Sequence, residues 1–305
     1  MISDLVIIGG GPAGITAAIY ASRNNIKTML FSQNIGGMLF NKAVDVQNYT
    51  GFPSITGFEL AEKFKEHLEA QDKVCVKEEE VINIKKENNI FKLNTLQGEY
   101  FSRAVIIASG SKPRELNIKG EKEFLGKGVS YCPICDGPFL KNKDIAIIGG
   151  GNAAFESAIF LSNIANKIFI LERGDRALAD QKNQEKVNSF KNIQVFTNAQ
   201  ILEIKGNDFV NAIKWMHNNE LIETEFKGVF IQAGYIPETD YLKKLVDLND
   251  KKEIIVNSDM ETRTKGLFAA GDITNTKVKQ IICAASSGAI AALSAYNYLL
   301  NYEQN

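Results

Sequence analysis

Histidine is almost missing from this chain. Its 305 residues hold only two, His67 and His217. A His-rich metal centre therefore lacks ligands, no metal site is expected, and redox or acid–base chemistry has to rest on cysteines and carboxylates. Cysteine is scarce too. Four residues are too few for the disulfide framework of a small secreted domain. An excess of one charge is also lacking, since 35 Lys and Arg face 36 Asp and Glu for a net charge of -1. That excludes a broad basic field for nucleic acid or an anionic membrane surface. No unbroken apolar run reaches the ~20 residues of a transmembrane span. Residues 1–14 show neither the basic region nor the cleavage site of a signal peptide. A cytoplasmic location is the expectation. At 45% hydrophobic and 23% charged residues, the composition is that of an ordinary globular protein. The length suits two domains of roughly 150 residues each.

What the chain does contain, it contains twice. Residues 4–14 read DLVIIGGGPAG and residues 144–154 read DIAIIGGGNAA, 140 residues apart. Each is a short apolar run, a glycine cluster and a helix-forming stretch (Ile15–Arg23 and Ala153–Asn163). The period is too long for a solenoid and suits two βαβ nucleotide-binding units. In such a unit Gly9 makes the tight turn out of the strand. Gly11 leaves room for a pyrophosphate, and Gly14 lets the helix approach the sheet. The helix N-terminus then faces the phosphates. Gly149, Gly151 and Ala154 take the same roles in the second copy.

The acid that grips a ribose belongs a little over 20 residues past the first glycine. In the second copy that position is Glu172, at the end of the apolar run 168–171. In the first copy it is Ser32. Two dinucleotide units in one chain imply electron traffic, with FAD and a nicotinamide as the natural pair. Two further apolar runs end in small residues, Ala104–Gly110 and Gly266–Asp272. Asp272 is either an acceptor for sugar-like hydroxyls or the cap of an Asx turn. Residues 280–300 have apolar positions at helical spacing and are expected as a buried helix, with a frayed tail at 301–305.

Residues 131–138 read YCPICDGP. The two-residue spacing of Cys132 and Cys135 allows a readily reduced disulfide. The competing readings are a pair of incidental buried cysteines and half a zinc site. A zinc site needs two more ligands, and Cys75 and Cys283 lack the spacing to supply them. Those two read as small buried apolar residues. Asp136 is either the proton donor to a leaving thiolate or part of a plain Asp-Gly-Pro turn.

Together these residues resemble the low-molecular-weight thioredoxin reductase family, over essentially the whole chain. The resemblance rests on GGGPAG (9–14), GGM (36–38), NYTGFP (48–53), ASG (108–110), CPICDGP (132–138), GGGNAA (149–154), AAGDI (269–273) and KQI (279–281). Several stretches look closer to the flavoprotein subunit of alkyl hydroperoxide reductase: CPICDGP, 171–181, 190–200 and 279–299. The extra N-terminal thioredoxin-like region of that flavoprotein is expected to be absent, because the chain opens on the first glycine motif.

The resemblance implies an α/β fold of two Rossmann-like domains, the second inserted into the first. FAD would occupy a discontinuous domain of 1–113 and 244–305. NADH or NADPH would occupy residues 114–243, which also carry CPIC. The implied FAD contacts are Gly9, Gly11, Pro12, Ala13, Gly14, Ser32, Gly36, Gly37, Met38, Asn48, Ala108, Ser109, Gly110, Gly271, Asp272, Lys279, Gln280 and Ile281. Met38 stands where the family has glutamine. The implied nicotinamide contacts are Gly149, Gly151, Asn152, Ala153, Ala154, Glu172, Arg173 and Arg176. Cys135 would face the flavin, Cys132 would attack a thioredoxin-like protein disulfide, and Asp136 would be the general acid. The alternatives are supply of a peroxiredoxin system through a small redoxin, or electron delivery to oxygen or a ferredoxin-like carrier. A homodimer is implied, as is a domain rotation with hinges near 112–117 and 240–244. The family's His-Arg-Arg run for NADPH is replaced by Glu172-Arg173-Gly174, with Leu178 in place of the later arginine. NADH is therefore the expected reductant, with Arg173 and Arg176 as counter-indications.

Overall fold

The computed structural model describes residues 2–41, 46–242 and 244–302. The chain divides into two compact units. One runs from the N-terminus to Phe40, over Val46–Lys112 and again from Ile236 onward, and the other is built on Pro113–Tyr235.

The first unit begins with β1 (Ile2–Ile8), α1 (Pro12–Arg23) and β2 (Thr28–Phe31), followed by α2 (Gly57–Glu69) and β3 (Val74–Lys77). A meander of β4 (Asn83–Glu87), β5 (Ile90–Asn94) and β6 (Glu99–Ile107) completes this part. The sheet order is β3-β2-β1-β6-β5-β4, with β1, β2, β3 and β6 parallel and β4 and β5 antiparallel. In β1 both faces are buried, and the strand period of two divides its side chains. Leu5 and Ile7 enter one core with α1, while Val6 and Ile8 enter another with Phe31 and Phe91.

The chain then crosses along β7 (Ser111–Pro113) into the second unit. Here β8 (Val129–Ser130) and α3 (Pro133–Asp136) precede β9 (Asp144–Ile148), α4 (Asn152–Leu161), β10 (Lys167–Leu171), α5 (Gln181–Asn188) and β11 (Ile193–Phe196). An antiparallel layer of β12 (Ala199–Gly206), β13 (Val210–His217) and β14 (Glu220–Glu225) follows, then β15 (Gly228–Ile231). The central sheet is fully parallel, in the order β11-β10-β9-β15-β8. Ile145 and Ile147 pack toward α4, and Ala146 and Ile148 pack toward Trp215 of the antiparallel layer. Both units are thus α/β folds with a parallel Rossmann-like centre, as the sequence led us to expect.

The chain returns through β16 (Tyr235–Pro237), which pairs with β7, and reaches β17 (Leu267–Ala269) and α6 (Ile281–Tyr302). β17 adds to the free edge of β6 beyond β5. The crossing falls at Tyr235–Ile236, earlier than the expected 243/244. The reason is Leu242, which is fully buried in the first unit's core beside Val246 and Ile254. Of the expected hinge near 240–244, Leu242 thus belongs to the first unit's core, and Lys243 lies outside the described residues.

By length and an 18-residue mean hydropathy of 1.2, α6 could cross a bilayer. It instead buries Ala284, Gly288, Ala291 and Ala295 in the first unit. Gly288 permits the contact with α1, because a Cβ there would stand 2.1 Å from the Ala13 carbonyl oxygen. The helix keeps its order through Tyr302, beyond the expected fray point at 301, and 303–305 lie outside the described residues.

Candidate functional site

The first glycine loop is shaped by contacts that only glycine tolerates. Gly9 has φ +114°, and a Cβ would meet the Ala108 carbonyl oxygen at 2.3 Å. At Gly14 a Cβ would lie 1.8 Å from the Gly9 carbonyl oxygen. Gly11 differs, with no atom within 4 Å of a built Cβ. The space over Gly11, at the N-terminus of α1 with Pro12 in its first turn, is open. This is the cradle a pyrophosphate needs. The neighbouring motifs converge on it. The Gly36 amide bonds the Gly10 carbonyl at 2.7 Å, and Gly37, at φ +57°, is so close that a Cβ on it would stand 3.0 Å from the Gly11 Cα. Ser32 follows β2, lies against Gly10 and donates to the Asn34 carbonyl. Met38 is half-buried in the 3-10 turn Gly37–Asn41.

The remaining first-unit positions fall in three places. Ala108 is buried under Gly9 and Gly14, exposed Ser109 bonds Tyr241, and Gly110 takes φ +67°. Asn48 donates a 3.0 Å bond to Gln280, joining NYTGFP to KQI beside an open cavity of ≈ 470 Å³ lined by residues 47–53. Gly271 backs onto Ala13, and its amide donates to Ser287 at 2.9 Å. Asp272 is half-buried in the 3-10 turn Gly271–Ile273. Ile281 starts α6 and packs toward the Leu39–Leu60 cluster. Lys279 spends its ammonium on the Asp272 and Thr274 carbonyls and on Glu253, 3.0 Å away. It braces the turn that carries Asp272. Glu253 was not legible as its partner, because it lies 26 positions before Lys279 with β17 in between.

The second loop repeats the design. A Cβ on Gly149 (φ +128°) would lie 2.2 Å from the Gln232 carbonyl oxygen, whereas Gly151 opens onto clear space at the start of α4. Ala153 and Ala154 form the first turn of α4, and Ala154 is fully buried. Glu172 directly follows β10. Its carboxylate lies against Gly150 and accepts a 2.6 Å bond from the Gly174 amide. Arg173 and Arg176 are exposed. Asn152 turns its amide to Asp180, a residue the spacing rules do not reach.

Cys132 and Cys135 form a disulfide across α3, with a Cα–Cα distance of 5.4 Å. Cys132 is half-buried and caps the helix, accepting from the Cys135 amide at 3.3 Å, and Cys135 is exposed. The Cys132 amide is held by the Ser130 hydroxyl at 2.9 Å. Asp136 ends α3, half-buried, where the chain enters the 3-10 turn Gly137–Leu140. Cys75 is exposed on β3 and Cys283 is half-buried in α6, so neither is the buried residue expected.

Beside Tyr131, the residue before Cys132, lies a carboxylate that sequence reasoning missed. Glu121 is 1% exposed. It accepts from the Leu116 amide at 2.9 Å, the Asn117 amide at 2.7 Å and the Tyr131 hydroxyl at 2.7 Å. Burial and the Glu121 hydrogen bond push the Tyr131 hydroxyl far above the ordinary tyrosine range. Gln232 holds the Tyr131 carbonyl at 3.0 Å. Nothing in a lone Gly-Glu pair at 120–121 announces burial.

Two open glycine cradles at helix N-termini and a Cys-x-x-Cys disulfide define the class as a dinucleotide-dependent disulfide oxidoreductase. The family model for pyridine nucleotide-disulphide oxidoreductases matches residues 3–288. The chain belongs to that family, in which FAD and a pyridine nucleotide are the implied cofactors, and its structural neighbours are low-molecular-weight thioredoxin reductases. The Lactococcus lactis thioredoxin reductase superposes with a TM-score of 0.94 at 35% identity, covering 98% of this chain and 99% of that one. The T. acidophilum thioredoxin reductase gives 0.90 at 36%, covering 97% and 98%. An alkyl hydroperoxide reductase subunit of Escherichia coli (strain K12) is 38% identical over 97% of this chain and 58% of its own length. A protein of Ferdinandcohnia aciditolerans named NADH dehydrogenase is 39% identical over 97% of this chain and 57% of its own. The chain thus spans a little over half the length of these curated relatives.

Proposed function

We propose that this chain is a flavoprotein that passes electrons from a reduced nicotinamide through FAD and the Cys132–Cys135 disulfide to the disulfide of a thioredoxin-like protein. The observation that carries the reading is the disulfide itself, set on α3 in the unit that holds the second glycine cradle. FAD would sit over Gly11, with Gly36, Gly37, Asn48, Ser109 and the turn of Asp272 around it. The nicotinamide nucleotide would sit over Gly151. Bound there, the two cofactors supply a pair of electrons. Two electrons and two protons open the Cys132–Cys135 bond to two thiols. The Cys132 thiolate then attacks the protein disulfide and expels one thiolate, which in this reading takes its proton from Asp136. Cys135 attacks Cys132 in the mixed disulfide and releases the second thiol. NADH is the preferred donor in this reading, because the Glu172 carboxylate accepts from a ribose 2′-hydroxyl and repels a 2′-phosphate. A homodimer and a cytoplasmic location belong to the same reading.

The acceptor has a second candidate. Relatives named as alkyl hydroperoxide reductase subunits support delivery to a peroxiredoxin system through a small redoxin. Anaerobic titration with NADH or NADPH, followed by a thioredoxin-like disulfide, tests the reading. Flavin bleaching and stoichiometric thiol release are expected. A purified protein that is colourless and takes up no FAD overturns it.

A further inference from the structure

The loop that follows β10 is tied to the second glycine loop at both ends. At its start the Glu172 carboxylate rests on Gly150, where a Cβ would come within 2.4 Å of Oε2. At its end the Leu178 and Ala179 amides both donate to the Gly150 carbonyl, at 2.8 and 3.0 Å. Asn152 and Asp180 then close a reciprocal pair. The Asp180 amide donates to Asn152 Oδ1 at 2.7 Å, and Asn152 Nδ2 donates to Asp180 Oδ2 at 2.8 Å. Asn183 adds a 3.3 Å bond to the same Asn152 oxygen. Asp180 is the N-cap of α5, yet its side chain caps no amide of that helix. An N-cap aspartate ordinarily bonds its own helix's first turn. Here the carboxylate is turned to Asn152 instead.

We propose that Asn152 and Asp180 latch this loop and act as positioning residues for the choice between the two nicotinamide nucleotides. The inference rests on the reading that the second glycine loop binds a nicotinamide nucleotide. Between the two ties lie Arg173 and Arg176, both exposed and without a side-chain partner among the described residues. Accepting a 2′-phosphate requires the Glu172 carboxylate to withdraw and a guanidinium to approach. Both movements strain the latch. A 2′-hydroxyl requires neither. The latched loop therefore costs NADPH affinity and leaves NADH affinity untouched, which is the differential effect that selection needs.

Calorimetric titration of the oxidised, FAD-loaded protein with NAD⁺ and NADP⁺ tests this, since neither ligand carries a hydride to transfer. The two ligands differ only in the 2′-phosphate. General damage to the pocket weakens both and leaves the ratio of their Kd values unmoved. Asp180→Ala and Asn152→Ala are each expected to move that ratio about five-fold toward unity, mainly by tightening NADP⁺. The double variant should go no further than either single one, because both remove the same pair. Asp180→Asn keeps an acceptor oxygen for Asn152 and should retain the wild-type ratio. Asp180 is exposed and Asn152 half-buried, so the variants are expected to fold, with the flavin spectrum as the check. A ratio unchanged within about two-fold in both alanine variants overturns the latch. So do additive effects in the double variant, or an Asp180→Asn shift as large as that of Asp180→Ala, which would assign the effect to charge. A wild type that favours NADP⁺ overturns the latch together with the reading of Glu172, because the latch acts by keeping that carboxylate in place. Binding of neither nucleotide overturns both.

Discussion

At the scale of single residues, the two sulfurs are expected to separate two half-reactions. Cys132→Ser and Cys135→Ser should each abolish reduction of a protein disulfide and leave bleaching of the flavin by the nicotinamide intact. Stopped-flow absorbance reads the second step and thiol titration the first. Near wild-type redoxin reduction by either variant would break the relay. Cys75→Ser and Cys283→Ser should keep most of the activity. Glu121 makes a stability prediction. In Glu121→Gln one carboxylate oxygen becomes an NH₂ group that faces a buried donor, at a cost of about 1–3 kcal/mol in urea unfolding. Glu253 makes a pH prediction. Its burial alone would raise the carboxyl, but the Asn249 amide and the Lys279 ammonium together hold it below the ordinary 4.5. A depressed folded value means that the unfolded chain takes up the proton first. The Glu253 contribution is therefore whole above about pH 4.5 and lost as the pH falls through the lower folded value. Melting temperatures from pH 6 to pH 3 should fall less steeply in Glu253→Gln than in the wild type.

At the scale of elements, the strand–glycine–helix units separate folding from binding within three residues. Gly149→Ala drives a Cβ to 2.2 Å from a backbone oxygen at a positive φ, so it should cost several kcal/mol or prevent folding of the second unit. Gly151→Ala meets no protein atom within 4 Å and has φ -88°. It should fold within about 1 kcal/mol of wild type, but the methyl group fills the space over the loop and should weaken NAD⁺ at least ten-fold. Chemical denaturation and calorimetry on the pair decide this. A Gly151→Ala variant with unaltered affinity would remove the second cradle from the reading. Much of this scale was legible in the sequence, because glycine spacing and apolar runs are local signals. Strands β1, β9 and β10 and helices α1, α4 and α6 all lie where pattern alone placed them, within a few residues. What was not legible depends on distant chain. Leu242 reads as one more leucine in a polar stretch until the core beside Val246 and Ile254 claims it. Glu121 reads as a surface acid until Leu116, Asn117 and Tyr131 surround it. Asp180 lies 28 residues from Asn152, and no periodicity joins them.

At the scale of the whole chain, the pairing of β7 with β16 has a consequence for how such a protein can be assembled. The two crossings between the units are neighbours in one small sheet, and the Arg114 amide bonds the Gly234 carbonyl at 2.8 Å just beyond them. Paired strands lie about 5 Å apart. A few glycine and serine residues therefore suffice to connect Lys112 to Ile236 directly and close the first unit without the second. Among the described residues each unit has buried clusters of its own. The shortened chain should still fold and turn yellow with FAD, while its flavin is no longer bleached by low concentrations of NADH. Visible absorbance before and after NADH reads both outcomes. A shortened chain that aggregates, or that binds no flavin, would show the units to be interdependent. If it folds, Pro113–Tyr235 is a cassette: a segment with adjoining ends that can be lifted out, exchanged for another nucleotide-binding unit, or acquired in one step without redrawing its host.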